Sequence, residues 1–198
     1  MTNLAHAYDL ATTLARYMFT DVSDNRRTDR GEYNKAYILR NSKKQTLNAL
    51  RSHSQFPGTA GSSRANVLAY GKHVLNHDAA NCLEISCAAA YVLNTQLSVS
   101  NWDLIHYTGG GDHVFVALGD CGGYDDNFAN WPATCAIFDG WAQIACLASN
   151  YPTKWSSKMN EWTSDNPPIE LPGPTGGGFG DATAWRPVIA GSKASYLT

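Results

Sequence analysis

The chain has 198 residues, 43% of them hydrophobic, with a formal net charge of -2 at pH 7. That length can bury one packed core, and the lack of a basic surplus argues against a nucleic-acid partner. No apolar run approaches the length that spans a membrane. Polar residues between Thr2 and Thr20 interrupt any secretory signal pattern, so only a specialised secretion route is compatible with export.

In chain order, apolar positions Leu4, Leu10, Leu14 and Met18 predict an amphipathic helix over residues 3 to 19. Residues 20 to 34, with Asp21, Asp24, Arg26, Arg27, Asp29, Arg30 and Glu32, read as a solvated surface run. A second helix is predicted from Tyr33 to Arg51, and turn residues from 52 to 63 predict a loop. Ser62 or Ser63 can cap a helix reaching about His77. The next helix, Leu83 to Leu93, is apolar almost all round and is expected to be central and buried.

After Asn94 the texture turns to strands at 104–107, 113–118 and 135–138, with a further turn of helix over 141–147. From Pro152 to Thr198 the chain is rich in Gly, Pro, Ser and Trp and reads as a tail that wraps the domain or stays loose. Helices first and strands after imply an α+β domain spanning 1–198, with N-terminal helical residues 1–61, a core over about 62–148 and the tail from 152.

Five cysteines (Cys82, Cys87, Cys121, Cys135, Cys146) make an odd count without disulfide-framework spacing. A core of this size needs no staples, so mostly reduced thiols are expected. No CxxC pair supports a zinc ribbon or thioredoxin-like chemistry.

Three sites at element ends carry the chemistry. Asn81 is a good N-cap and Glu84 stands three residues on, a capping-box variant that puts Cys82 at the first helical position. There the helix dipole favours thiolate, and the Cys82 backbone N–H can serve an oxyanion. His113 opens the apolar run Val-Phe-Val-Ala-Leu, at the rim of the core where a base can touch both a nucleophile and solvent. Asp139 ends Ala-Ile-Phe, where its carboxylate can accept the His113 Nδ1–H, and Trp141 can shield that bond from water. Asp112 precedes His113, but adjacent strand residues point to opposite faces.

Each residue also has a plain alternative: a core thiol for Cys82, a strand-end histidine for His113, a turn aspartate for Asp139. Cys87, about 140° further round the helix, is expected to face the core. His73 and His77 are four apart and could share a metal with Cys82, but no zincin glutamate follows His73, so no metal is expected.

At Asn-Cys-x-Glu (81–84), Asp-His-Val-Phe-Val (112–116) and Phe-Asp-Gly-Trp (138–141), the chain resembles the papain-like and transglutaminase-like cysteine enzymes. Within them it is similar to the Cys-His-Asp effectors and toxins of pathogenic bacteria, deamidases and YopT-type proteases, over roughly 62 to 148. The resemblance implies a helix carrying Cys82 packed on an antiparallel sheet carrying His113 and Asp139, thiolate attack on an amide and a thioester intermediate. It implies no cofactor, and it places Asn76 where papain has an oxyanion-donating glutamine, on a different local pattern.

The expected activity is therefore a thiol hydrolase acting on a protein in a host cell, a signalling protein being the kind of target such effectors use, with deamidation ahead of peptide cleavage. The alternatives are a peptidoglycan peptide amidase and a non-catalytic interaction module. These enzymes are delivered by a specialised secretion system, so a secreted or translocated protein is expected.

Overall fold

The computed structural model describes residues 1–15, 46–58, 61–77, 80–108, 113–122, 124–164, 169–170 and 179–197. The charged run at 20–34 and Asp112 lie outside the described residues. Helix α1 spans Asn3–Ala15, and residues 46–51 are helical. Helix α2 spans Arg64–Val74, with Ser63 as its N-cap accepting the Asn66 N–H at 3.2 Å. Helix α3 spans Cys82–Thr95.

Strands β1 (Trp102–Tyr107), β2 (Val114–Leu118), β3 (Ala136–Asp139) and β4 (Ile144–Leu147) follow. Helix α4 covers Tyr151–Ser164, β5 (Ile169–Glu170) and β6 (Phe179–Gly180) form a small ribbon, a 3₁₀ segment runs Ala182–Ala190, and β7 is Lys193–Ser195.

The α+β expectation holds: a five-stranded sheet in the order β4-β3-β2-β1-β7, every pairing antiparallel, packs against helices. Every residue of β2 is buried, as a central strand covered on both faces requires. Its register sets Leu118 opposite Ala136 and Val116 opposite Phe138 on β3. His113, just before β2, and Asp139, closing β3, are thus brought to the same end of the sheet.

Helix α3 is buried along nearly its whole length because α2 lies against its other side. A Cβ on Gly71 would stand 2.0 Å from the Cys87 carbonyl oxygen, so the two helices touch backbone to backbone only because position 71 has no side chain. Cys87 is fully buried, as its angle on the helix predicts.

Three expectations are corrected. Residues 144–147 form a strand rather than a turn of helix, because pairing with β3 (Asp139 opposite Ile144) outweighs local preference. The stretch from 152, for which no helix or strand is expected, contains both among its described residues: α4 buries Tyr151, Trp155, Met159 and Trp162 at a helical repeat, and β7 adds to the sheet beside β1, while most of the Gly-rich run lies outside the described residues. Pro152 is accommodated in the first turn of α4, where no backbone N–H donor is needed. Finally, Cys121 and Cys135 are joined in a disulfide, with Cα atoms 5.2 Å apart, and Cys82, Cys87 and Cys146 remain thiols. Spacing alone does not reveal such pairing; the long β2–β3 connection folds its ends together.

Candidate active site

The N-terminus of α3 meets the His113–Asp139 end of the sheet. Asn81 holds extended backbone at the N-cap, and the Glu84 carboxylate accepts the Asn81 N–H at 3.0 Å, closing a capping box. Glu84 is fully buried and also accepts Arg51 Nε–H at 2.8 Å, so a charged partner fixes the helix start from the side. The first intrahelical bond runs from Ile85 N–H to the Asn81 carbonyl at 2.9 Å. The N–H groups of Cys82, Leu83 and Glu84 lie ahead of it, at the positive end of the dipole.

Two further contacts seat α3. Ser86, one turn beyond Cys82 and 2% exposed, donates to the Val114 carbonyl at 3.1 Å, tying the Cys82 helix to the residue after His113. Gly140, in the β3–β4 turn, lies under Ile85: a Cβ there would come within 2.2 Å of Ile85 Cγ2. Helix, strand and turn therefore fix one another at the three positions that carry Cys82, His113 and Asp139.

His113 Nε2 lies 2.8 Å from Asp139 Oδ2, and the Cys82 thiol is near enough to the imidazole to favour its charged form. The bond to the carboxylate thus uses Nε2 rather than the expected Nδ1. The ring's approach along the sheet decides this, and local sequence carries no signal for it. Asp139 is fully buried, and its Oδ1 accepts the Ala142 N–H at 3.0 Å. Its Oδ2 accepts a second donor, the Tyr151 hydroxyl, at 2.6 Å.

His113 is only 1% exposed, against 7% for Cys82, so a substrate would meet the thiol first, and the expected solvent contact of the histidine is absent. Burial acts to lower the His113 pKa. The charge and hydrogen bond of Asp139, helped by Cys82, outweigh it and push the imidazolium up to about 10. The imidazolium is thus the favoured form at neutral pH, the state that pairs with a thiolate.

An aromatic shell closes over the pair. Trp141 lies 5.2 Å and Trp155 5.0 Å from the His113 ring, centroid to centroid, with Tyr107 stacked at 6.2 Å. Trp162 and Trp185 pack on Trp141, each at 5.0 Å, and the Trp155 indole N–H donates to the Trp185 carbonyl. Trp141 stands where the sequence places it. Trp155, Trp185 and Tyr151 come from the supposed tail and were not foreseen, although the spacing Tyr151, Trp155, Met159, Trp162 carries a helical signal. Ser86 had a signal too, as the serine in an otherwise apolar stretch.

Asn76 is not brought to the site. It is exposed and donates its side-chain amide to the Lys72 carbonyl at 3.2 Å. His73 packs between His53 and His77, with ring centroids 4.0 and 4.8 Å away. Among the described residues no group of three or more His, Cys, Asp or Glu is arranged to hold a metal ion. Nor is any described helix long and apolar enough to cross a membrane. A polar cavity of about 330 Å³, lined by Arg64, Asp103, Asp120 and Tyr124, lies at the opposite end of β1 and β2 from His113. No family model, curated protein or solved structure matches the chain.

Proposed function

We propose that this protein is a cysteine-dependent amide hydrolase of papain-like arrangement, with Cys82 as nucleophile, His113 as proton carrier and Asp139 as the group that orients it. The observation that carries this reading is the buried His113 bonded to Asp139 and set near Cys82, the first residue of α3. A core thiol needs no such partner. In the proposed reaction the Cys82 thiolate adds to an amide carbonyl, and the oxyanion faces the N–H groups at the start of α3. The His113 imidazolium then gives its proton to the departing nitrogen, leaving a thioester. Water adds to the thioester as His113 takes its proton, and the carboxylic acid and free thiol are regenerated.

The proposed substrate is a protein side-chain amide or peptide bond, in a target reached by a specialised secretion route. One observation favours a second reading, an amide of bacterial cell-wall peptides: disulfides such as Cys121–Cys135 form and persist in oxidising compartments rather than in a cytosol.

The test is iodoacetamide labelling of each free cysteine across pH, read by peptide mass spectrometry, in the wild type and His113→Ala. Cys87 is pushed well up by burial, and Cys146 is pushed up to about 12, chiefly by burial. Cys82 is expected to label at least about ten-fold faster than either near pH 6, and to lose that advantage without His113. Equal labelling of the three in the wild type would sink the enzyme reading and leave a non-catalytic interaction module. Release of ammonia from proteins, or cleavage of peptidoglycan fragments, then separates the two substrate readings.

A further inference from the structure

We infer that Tyr151 is a positioning residue that moderates the basicity of His113 through the carboxylate oxygen the two side chains share. This rests on the thiol-hydrolase reading above and concerns its proton carrier. Asp139 Oδ2 accepts both His113 Nε2–H at 2.8 Å and the Tyr151 hydroxyl at 2.6 Å, while Oδ1 is taken by the Ala142 N–H at 3.0 Å. Tyr151 is fully buried as the first residue of α4. Its ring is held between Phe115, at 5.3 Å, and Phe128, at 5.1 Å. A phenylalanine would fill that space equally well. A buried hydroxyl is costly unless bonded, and this one bonds the atom that faces the imidazole.

The consequence is electrostatic. A donor on Oδ2 draws negative charge away from the imidazolium, so the hydroxyl acts in the same direction as burial and against the pull of Asp139. Without it the ring would hold its proton more tightly, and an acid that must give a proton to the departing nitrogen near neutral pH would work less well. The other titratable groups around this cluster are Cys82 at the start of α3, Tyr107 on β1 and Cys146 on β4, with Lys154 on α4 nearest Cys146. Lys193 on β7 sits over the Tyr107 ring and donates to the Asp126 and Gly191 carbonyls. The Tyr107 hydroxyl is close to that of Tyr151 but outside hydrogen-bonding geometry, and burial pushes it, like Tyr151, well above the ordinary phenol range. None of these contributes a hydrogen bond to Asp139 Oδ2 in place of Tyr151.

The Cys82–His113 pair loses its protons in two steps. The acid limb is ionisation of the thiol beside the imidazolium, read by Cys82 alkylation. The alkaline limb is loss of the imidazolium proton, read from the His113 ring by NMR on histidine-labelled full-length protein. Tyr151→Phe is expected to raise the alkaline limb by about half to one pH unit and to leave the acid limb in place. Replacement of Tyr151 by 3-fluorotyrosine, a more acidic phenol of nearly the same size, is expected to lower the alkaline limb, and it keeps the test open if the phenylalanine variant folds poorly. An unmoved alkaline limb in both variants overturns the inference. So does movement of the two limbs toward each other, since that is what loosening of the Cys82–His113 pair produces. Limbs that stay in place when the partner is removed, at Cys82 in His113→Ala and at His113 in Cys82→Ala, overturn the hydrolase reading itself, and those variants leave Tyr151 untouched.

Discussion

Replacing Cys121 and Cys135 together by alanine removes the one covalent link that bridges the two strands of the site. Alanine is the right choice because Cys121 is 4% and Cys135 0% exposed, and serine would bury an unpaired hydroxyl. The cysteines are 14 positions apart, and closing a loop of about 15 residues removes denatured-state entropy worth roughly 3 kcal/mol. For a chain of this size each kcal/mol moves Tm by about 2–4 °C, so the double variant should melt about 6–12 °C below the oxidised wild type. Calorimetry with and without reductant checks this, with the double variant as its own control, since reductant should leave its Tm unchanged. Cys82 labelling well below the melt should persist, because backbone pairing of β2 with β3 still sets His113 beside Asp139. A double variant melting within about 2 °C of the wild type would refute the reasoning, because the calculated entropy would then be missing.

Two other predictions concern the same end of the sheet. His113 carries a folded-state pKa raised to about 10, above its ordinary value of about 6.5. Its contribution to stability is therefore complete below about pH 6.5 and lost as pH rises through about 10. Denaturant melts at pH 6.5, 8 and 9.5 should show the wild type weakening across that window and His113→Ala weakening less, and parallel slopes would contradict the linkage. Gly140→Ala forces a Cβ to within 2.2 Å of Ile85 Cγ2. It should cost about 1–3 kcal/mol, as overpacking does, and slow Cys82 labelling by shifting the turn that carries Asp139. Adding Ile85→Ala should restore part of the labelling rate, and strictly additive losses would show that the clash is not the cause.

What was legible in the sequence was what local pattern controls. The cap at Asn81 and the apolar run behind it give α3 and place Cys82 at its start. The alternation of strands and turns gives β1, β2 and β3, with His113 and Asp139 at their ends. What escaped depends on contacts distant in sequence. Strand β4 exists because β3 pairs with it, and the Cys121–Cys135 bond forms because a connection doubles back. The choice of Nε2 over Nδ1 follows from the direction in which the imidazole reaches its carboxylate. The failure over α4 has a different origin. Its buried stripe is written in Tyr151, Trp155, Met159 and Trp162, but Pro152 and the serines between them give the segment the composition of a loop.

Helix α4 and the elements after it bear on how much of the chain the proposed site needs. A core taken as residues 62–148 contains Cys82, His113 and Asp139 with Tyr107 and Trp141 beside His113, yet it lacks the part of the aromatic shell that follows β4. Trp155 and Trp185 cover the His113 side, Tyr151 supplies the second donor to Asp139 Oδ2, and β7 pairs with the β1 edge, setting Lys193 opposite Tyr107. In water the His113–Asp139 attraction would be screened many-fold relative to a buried site, and the imidazolium would lose the stabilisation that keeps it charged beside the thiol. The C-terminal elements are thus part of the surroundings that set the charge of His113, and a piece that ends before α4 is expected to lose the proposed activity.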